Sequence, residues 1–153
     1  MTKLKIGDKA PEFSGVDQHG NKISISDFAG KTIILFFYPK DNTPTCTTEA
    51  CDFRDNYAAL SAKGFAVIGV SIDNEKSHTK FINKYSLPYT LIADSDKKMV
   101  EDYGVWGEKS MYGRTYMGTF RTTFIIDGKG VITHIIEKVI SKNAAQQVLD
   151  LIG

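Results

Sequence analysis

The chain has 153 residues, of which 42% are hydrophobic and 11% aromatic, and this composition predicts one ordinary globular domain over residues 1–153. Nineteen Lys and Arg residues nearly balance eighteen Asp and Glu residues, so the net charge of +1 argues against a nucleic-acid-binding protein with a strongly basic face. No apolar run approaches the roughly 20 residues of a membrane-spanning helix, and residues 1–8 lack the apolar core of a secretion signal, so we expect a cytoplasmic protein with no membrane partner.

The hydrophobic pattern predicts a chain in which strands and helices alternate. The predicted strands are residues 12–16, 22–25, 32–38, 65–72, 89–93, 122–127 and 131–136. The predicted helices are residues 46–63, a segment capped by Asp73, residues 95–103, and a last segment capped by Ser141. This order indicates an α/β fold in which helices flank a mixed central sheet, with an N-terminal β-hairpin before it.

Two stretches stand out within this pattern. Residues 32–38 are continuously apolar, as expected of a central strand that is covered on both faces, and Pro39 ends the strand. Residues 104–120 are the least regular part of the chain and are rich in Gly, Tyr and Met. Their length predicts a functional loop rather than a simple connection.

The chain has two cysteines, Cys46 and Cys51. In a reducing compartment a close pair of this kind is more often redox-active or metal-binding than structural. Cys46 is expected in the first turn of the helix over residues 46–63, where unpaired backbone N–H groups and the helix dipole favour a thiolate. It also lies on the apolar stripe of that helix, so a buried structural cysteine is the alternative.

Cys51 follows Cys46 by five positions. On a helix this spacing corresponds to about 500° of rotation and about 7.5 Å of rise, so the two side chains point in different directions. Their α-carbons then lie beyond the roughly 4.4–6.8 Å of ordinary disulfides. A disulfide between them therefore requires the helix start to unwind. The alternative is that Cys51 is only a small residue away from the core stripe.

The sequence does not predict a metal site. The Cys-x4-Cys spacing is wider than that of usual zinc ligands, and no second Cys or His pair accompanies it. The three histidines, His19, His78 and His134, are spread over a predicted turn, helix and strand. Each is expected to be a surface or packing residue.

The segment around the cysteines resembles the peroxiredoxins. Pro39-x3-Thr43-x2-Cys46 matches their Pro-x3-Thr/Ser-x2-Cys signature, and residues 36–41 and 48–55 resemble the bacterioferritin comigratory protein/peroxiredoxin Q subfamily. The likeness extends over nearly the whole chain. It implies a thioredoxin-like fold with an N-terminal hairpin, and a thiol peroxidase that reduces hydrogen peroxide and organic hydroperoxides without metal or cofactor.

The resemblance also implies a role for each matching residue. Cys46 is similar to the peroxidatic cysteine, which becomes a sulfenic acid. Cys51 is similar to the resolving cysteine, which closes an intramolecular disulfide that thioredoxin or a similar dithiol reduces. Thr43 matches the hydroxyl that binds thiolate and peroxide, Pro39 the residue that shields the thiolate from water, and Arg121 the active-site arginine. By itself Arg121 would be expected to be a surface charge at a strand start. The resemblance further implies a monomer.

One residue departs from the pattern, because Thr45 stands where Gly is frequent in this subfamily. Its Cβ and hydroxyl are expected to narrow the pocket or alter the helix cap, which affects rate and substrate preference rather than reaction class. Two other functions stay open at this point. A disulfide oxidoreductase shares the fold but uses Cys-x2-Cys, and a redox sensor or interaction module could signal through the same disulfide.

Overall fold

The computed structural model describes residues 2–153. The strands are β1 (Ser14–Asp17), β2 (Lys22–Ser24), β3 (Thr32–Phe37), β4 (Phe65–Ser71), β5 (Thr90–Ala93), β6 (Trp106–Met111), β7 (Arg114–Thr119), β8 (Thr122–Ile126) and β9 (Ile132–Ile136). The helices are α1 (Pro44–Asp55), α2 (Tyr57–Ala62), α3 (Glu75–Tyr85), α4 (Lys98–Asp102) and α5 (Ala144–Ile152). Every strand that the sequence predicts is present, with its ends within two residues of the predicted ones.

A seven-stranded sheet forms the centre of the fold, in the order β2-β1-β5-β4-β3-β8-β9. The three central strands β5, β4 and β3 are parallel, and the outer pairings are antiparallel. The parallel strands are joined by helices, as a crossover between parallel neighbours requires. The mixed sheet flanked by helices and the N-terminal hairpin β1–β2 are therefore confirmed.

The side chains of β3 explain why its sequence is continuously apolar. Ile34 and Phe36 belong to one core cluster together with buried residues of α1, α2, α3 and α5. Ile33, Leu35 and Phe37 belong to a second cluster on the opposite face, which contains α4 and residues of the N-terminal segment. Alternate side chains of one strand thus enter two cores, and every residue from Ile33 to Phe37 is buried.

Residues 104–120 are not a loop, and that prediction is wrong. β6 and β7 form an antiparallel ribbon, with Met111 paired to Arg114. The connecting residues Tyr112 and Gly113 both have positive φ, 52° and 76°, as a two-residue hairpin turn requires. Most of the ribbon is exposed, so its strands lack the buried alternating face by which a sequence reveals a strand.

Three helix boundaries also differ from prediction. The helix over residues 46–63 begins earlier, at Pro44, and is interrupted at Asn56 between α1 and α2. The cap of α3 is Asn74, whose side chain accepts the Ser77 N–H, and not Asp73. The last helix begins only after a 3-10 turn over Ser141–Asn143, so Ser141 does not cap it.

The remaining short helix, α4, is also later and shorter than predicted, since it spans Lys98–Asp102. Lys97, which precedes it, has a φ of 64° and cannot continue a helix toward the N-terminus. Among residues 2–153, no helix combines the length and the apolar character needed to cross a membrane.

The packing of β4 gives a test of this core. A Cβ at Gly69 would lie 2.7 Å from Leu91 Cδ2 and 2.8 Å from Phe36 Cζ, on two neighbouring strands. We expect Gly69→Ala to lower the free energy of unfolding by about 1–3 kcal/mol, measured by urea denaturation. The control is Ser61→Ala at an exposed position of α2, which should leave the midpoint nearly unchanged. An unchanged midpoint for Gly69→Ala would contradict the packing described here.

Candidate active site

The first turn of α1 lies directly beyond the end of β3. The chain leaves β3 at Phe37, passes through residues 38–43, and enters α1 at Pro44, whose fixed φ suits the first helical position. Cys46 is the third residue of the helix. The N–H groups of a first helical turn have no acceptor within the helix, and the positive end of the helix dipole lies there. The predicted location of Cys46 is thus confirmed.

Cys46 is buried, with only 2% of its surface exposed, and its Sγ is in contact with a cation. Nη2 of Arg121 donates a hydrogen bond to Sγ at 3.2 Å. Sheet register explains the contact: Phe37 at the end of β3 pairs with Thr122 at the start of β8, so the preceding residue, Arg121, lies at the same sheet edge. A guanidinium at this distance stabilises negative charge on the sulfur.

A buried acid that sequence reasoning missed shares the same guanidinium. Glu49 is fully buried, and its Oε1 accepts a hydrogen bond from Nη1 of Arg121 at 2.6 Å. Its Oε2 has no hydrogen-bond partner among residues 2–153. The signal in the sequence is the spacing, since Glu49 follows Cys46 by three positions and therefore lies on the same face of α1.

Glu49 and Arg121 differ in how readily each one changes its protonation near neutral pH. Burial raises the pKa of Glu49 to about 7, although Arg121 acts in the opposite direction. Burial also lowers the pKa of Arg121, but the charges of Glu49 and Cys46 outweigh this effect and leave it above its ordinary value. Near neutral pH, Arg121 therefore stays a cation while Glu49 readily takes up a proton.

The other predicted site residues of the loop are near Cys46 in sequence but make different contacts. The hydroxyl of Thr43 donates to the Lys40 carbonyl at 2.9 Å and does not bond to the sulfur. Thr43 is half-buried, as is Pro39. Thr45 is exposed, so its side chain does not enter the core beside Cys46. Of the predicted residues, the structure brings Cys46 and Arg121 into direct contact.

Cys51 differs from Cys46 in its surroundings. It is half-buried in the middle of α1, and both cysteines are free thiols. Burial raises the pKa of Cys51, the charge of Arg54 acts in the opposite direction, and the charge of Asp55 raises it further. The continuous helix keeps the two sulfurs apart, as the spacing predicted. One thiol is therefore in contact with a cation, and the other favours its protonated form.

The ribbon adds a second cation to this part of the molecule. Lys109 of β6 is half-buried, and its Nζ donates to the Thr119 carbonyl at 3.0 Å. Burial lowers the pKa of Lys109, the charge of Arg121 lowers it further, and Cys46 acts in the opposite direction. The ribbon thus places a positive charge within electrostatic reach of the site.

One cluster has the residue types of a metal site. Potential ligand atoms of Asp41, Asp73 and His78 lie within 4.8 Å of one another. Both ring nitrogens of His78, however, already face hydrogen-bond partners, at 2.6 Å and 2.9 Å. The buried position of His78 agrees with the predicted packing role, and the cluster is a hydrogen-bond network.

Comparison with known proteins gives matches over nearly the whole chain. Residues 6–135 match the AhpC/TSA family. The chain is 47% identical to the putative peroxiredoxin bcp of Coxiella burnetii over 136 residues, covering 89% of this chain and 90% of that protein. It is 42% identical to peroxiredoxin Bcp of Escherichia coli K12, covering 98% and 96%.

A solved structure shows the same agreement in three dimensions. The Xanthomonas campestris bacterioferritin comigratory protein, described for its alkyl peroxide reduction activity, superimposes with a TM-score of 0.87 at 30% identity. The match covers 99% of this chain and 96% of that one. These similarities confirm the resemblance stated from the sequence and the thioredoxin-like fold.

The raised pKa of Glu49 predicts a dependence of stability on pH. Between pH 4.5 and about 7 the unfolded chain has lost this proton while the folded protein keeps it. The contribution of Glu49 to stability is therefore lost as the pH rises through this window. We expect the free energy of unfolding of Glu49→Gln, relative to wild type, to increase by up to about 3 kcal/mol across it. Urea denaturation at several pH values measures this, and parallel pH profiles of the two proteins would contradict it.

Proposed function

This chain belongs to the AhpC/TSA family and is a peroxiredoxin, a thiol-dependent peroxidase, and we propose that Cys46 is the residue that attacks the peroxide. The observation that carries the assignment is the hydrogen bond from Arg121 to a buried sulfur in the first turn of α1. The thiolate is the nucleophilic form of cysteine, and the guanidinium lies where it can bind that negative charge.

The first step is attack of the Cys46 thiolate on one oxygen of the hydroperoxide. A sulfur–oxygen bond forms, the O–O bond breaks, and the second oxygen leaves with the bonding electrons and takes a proton as water or alcohol. Cys46 becomes a sulfenic acid. Arg121 and the N–H groups of the α1 start stabilise the charge that develops on the leaving oxygen.

Pro39 and Thr43 complete the proposed site. Pro39 shields the sulfur from water in this proposal, and its half-buried position two residues after β3 supports that role. The Thr43 hydroxyl binds the peroxide and the thiolate after it leaves the Lys40 carbonyl, which is its partner here at 2.9 Å. Hydrogen peroxide and organic hydroperoxides are the proposed substrates, and the related Xanthomonas protein is described as reducing alkyl peroxides.

The second step joins the two cysteines. The first turns of α1 unwind, and Cys51 attacks the sulfenic acid of Cys46, so that a disulfide forms and water leaves. A dithiol of the thioredoxin type then reduces the disulfide by exchange. Unwinding also exposes Cys51 to water, which removes the burial that raises its pKa in the folded helix.

The wider setting is also a proposal. Residues 1–153 act as one domain, because both core clusters pack on the same sheet. The protein works as a monomer in the cytoplasm, and the reaction uses no metal or cofactor, since the sulfur chemistry needs only the peroxide and a thiol reductant.

Removal of the attacking sulfur gives the first test of this proposal. Cys46→Ser should reduce peroxide consumption to the level of the buffer, because a serine hydroxyl is not ionised at neutral pH. Consumption is measured with hydrogen peroxide and with an alkyl hydroperoxide. Turnover at the wild-type rate by Cys46→Ser would refute the assignment.

Removal of the second sulfur separates the two steps. Cys51→Ser should consume one equivalent of peroxide per chain and then stop in the presence of thioredoxin, because no intramolecular disulfide forms. Mass spectrometry should find a sulfenic acid, or its further oxidation products, on Cys46. Continued thioredoxin-dependent turnover would exclude Cys51 as the resolving residue.

The role of Arg121 is tested by a change that keeps the charge but not the shape. Lysine lacks the planar guanidinium, whose two terminal nitrogens donate separately to Glu49 and Cys46. We expect Arg121→Lys to lower the rate constant for the first peroxide by about 10²–10³, measured by stopped flow. The control is Arg114→Lys on the exposed ribbon, and equal rates for both variants would contradict the role.

A further inference from the structure

We propose that His78 and Asp41 are a positioning pair that holds the active-site loop, defined as Tyr38–Thr43, in the conformation in which Cys46 meets Arg121. The proposal rests on the proposed function, since it concerns the same cysteine. Neither residue touches the sulfur in this structure, so the pair acts through the loop.

Asp41 lies in the middle of the active-site loop and is almost completely buried. Its Oδ1 accepts a hydrogen bond from the Tyr38 hydroxyl at 2.6 Å, and its Oδ2 accepts one from the Ser77 hydroxyl at 2.8 Å. Nδ1 of His78 lies 2.6 Å from the same Oδ2. Burial and the charge of Asp41 raise the pKa of Tyr38 well above its ordinary value, so the phenol keeps its proton and donates.

The hydrogen bonds of His78 define where its protons are. Nε2 lies 2.9 Å from the Ile92 carbonyl oxygen, which can only accept, so Nε2 carries a hydrogen. A further proton then lies between Nδ1 and Asp41 Oδ2, which makes this a charge-assisted bond. His78 is fully buried on α3, and Ile92 is in β5, so the bond ties the loop to two elements of the core.

A second attachment holds the backbone of the loop. The N–H of Asp41 donates to Asp73 Oδ2 at 2.8 Å, and the Ser71 hydroxyl donates to the same oxygen at 2.7 Å. Asp73 follows β4, so the backbone of Asp41 is bound to the connection between β4 and α3, while its side chain is bound to α3 itself. The loop is thus fixed only two residues before the cap of α1, Thr43.

This arrangement matters because the proposed cycle needs two conformations of the same segment. In the folded one, Cys46 contacts Arg121 and reacts with peroxide. In the unwound one, Cys46 reaches Cys51. The buried network around Asp41 stabilises the folded conformation, and breaking a buried charged pair costs several kcal/mol by leaving a charge unpaired. The pair therefore biases the balance between the two steps of the reaction.

Loss of the pair should change the rate of the peroxide reaction and the rate of disulfide formation in opposite directions. Without the pair, less of the protein is folded at the α1 start, so the reaction with peroxide slows. The sulfenic acid then meets Cys51 more often, so the disulfide forms faster. A residue that merely supports the fold would lower both rates together, through loss of native protein.

The test uses His78→Phe, which removes both ring nitrogens, and His78→Asn, which keeps a donor toward Asp41. Rapid quench and mass spectrometry of the full-length protein follow Cys46 as thiol, sulfenic acid and disulfide. For His78→Phe we expect the peroxide step to slow at least tenfold and the disulfide step to accelerate at least threefold. The sulfinic acid formed on Cys46 at high peroxide should also decrease, and His78→Asn should restore part of each change.

The matched control is Lys84→Ala, which removes an exposed contact of 3.3 Å from the same helix to Asn42 of the same loop and should leave both rates unchanged. If circular dichroism shows that His78→Phe is unfolded, the same two rates are measured for Ser77→Ala, which removes one donor to Asp41 Oδ2. The peroxide step should then slow and the disulfide step should accelerate. Parallel decreases of both rates, or unchanged rates, would overturn the proposal. Wild-type protein that forms no sulfenic acid on Cys46 would instead defeat the proposed function.

Discussion

The site depends on one guanidinium that two acidic groups share. Arg121 contacts the sulfur of Cys46 through one nitrogen and the carboxyl group of Glu49 through another. Two full negative charges on one partly buried cation would leave an excess of buried charge. Burial raises the pKa of Glu49 to about 7, so near neutral pH a proton on Glu49 relieves this excess. A protonated Glu49 still accepts the hydrogen bond from Arg121 but adds no second negative charge beside the sulfur.

The fold makes this sharing possible by bringing three segments to one edge of the sheet. β3 ends there, the first turn of α1 starts beyond it, and β8 runs antiparallel to β3 so that Arg121 precedes its first residue. The apolar face of α1, with Ala50 and Phe53, anchors the helix in the core behind Cys46. Of the first turn only Cys46 belongs to this cluster, and the turn is preceded by the loop in which the N–H of Asp41 donates to Asp73. This packing is compatible with the proposed cycle, in which the first turns of α1 unwind and the rest of the helix stays in the core.

Much of this could be predicted from local sequence. The continuous apolar run of residues 32–38 predicts a central strand, and the following Pro and Thr residues place Cys46 at a helix start. The ribbon of residues 106–119 was missed because its strands are largely exposed, so burial leaves no period in the sequence. Asp73 was predicted to be a cap because it is an acid before a helix, but its carboxylate binds the loop instead.

The sequence by itself therefore determined the order of elements, the fold class and the position of Cys46 at a helix start, because these follow from neighbours along the chain. The family resemblance pointed to Arg121, but only the tertiary structure decided which groups contact Cys46 and Arg121, Glu49 among them. Arg121 is 75 positions from Cys46 and 72 from Glu49, and His78 is 37 from Asp41. Contacts over such separations depend on strand register and on which helix face is buried. The hydrophobic period of the sequence constrains strand register and buried helix face only loosely. The hydrogen bonds of Arg121, Glu49 and His78 therefore had to be read from the folded structure.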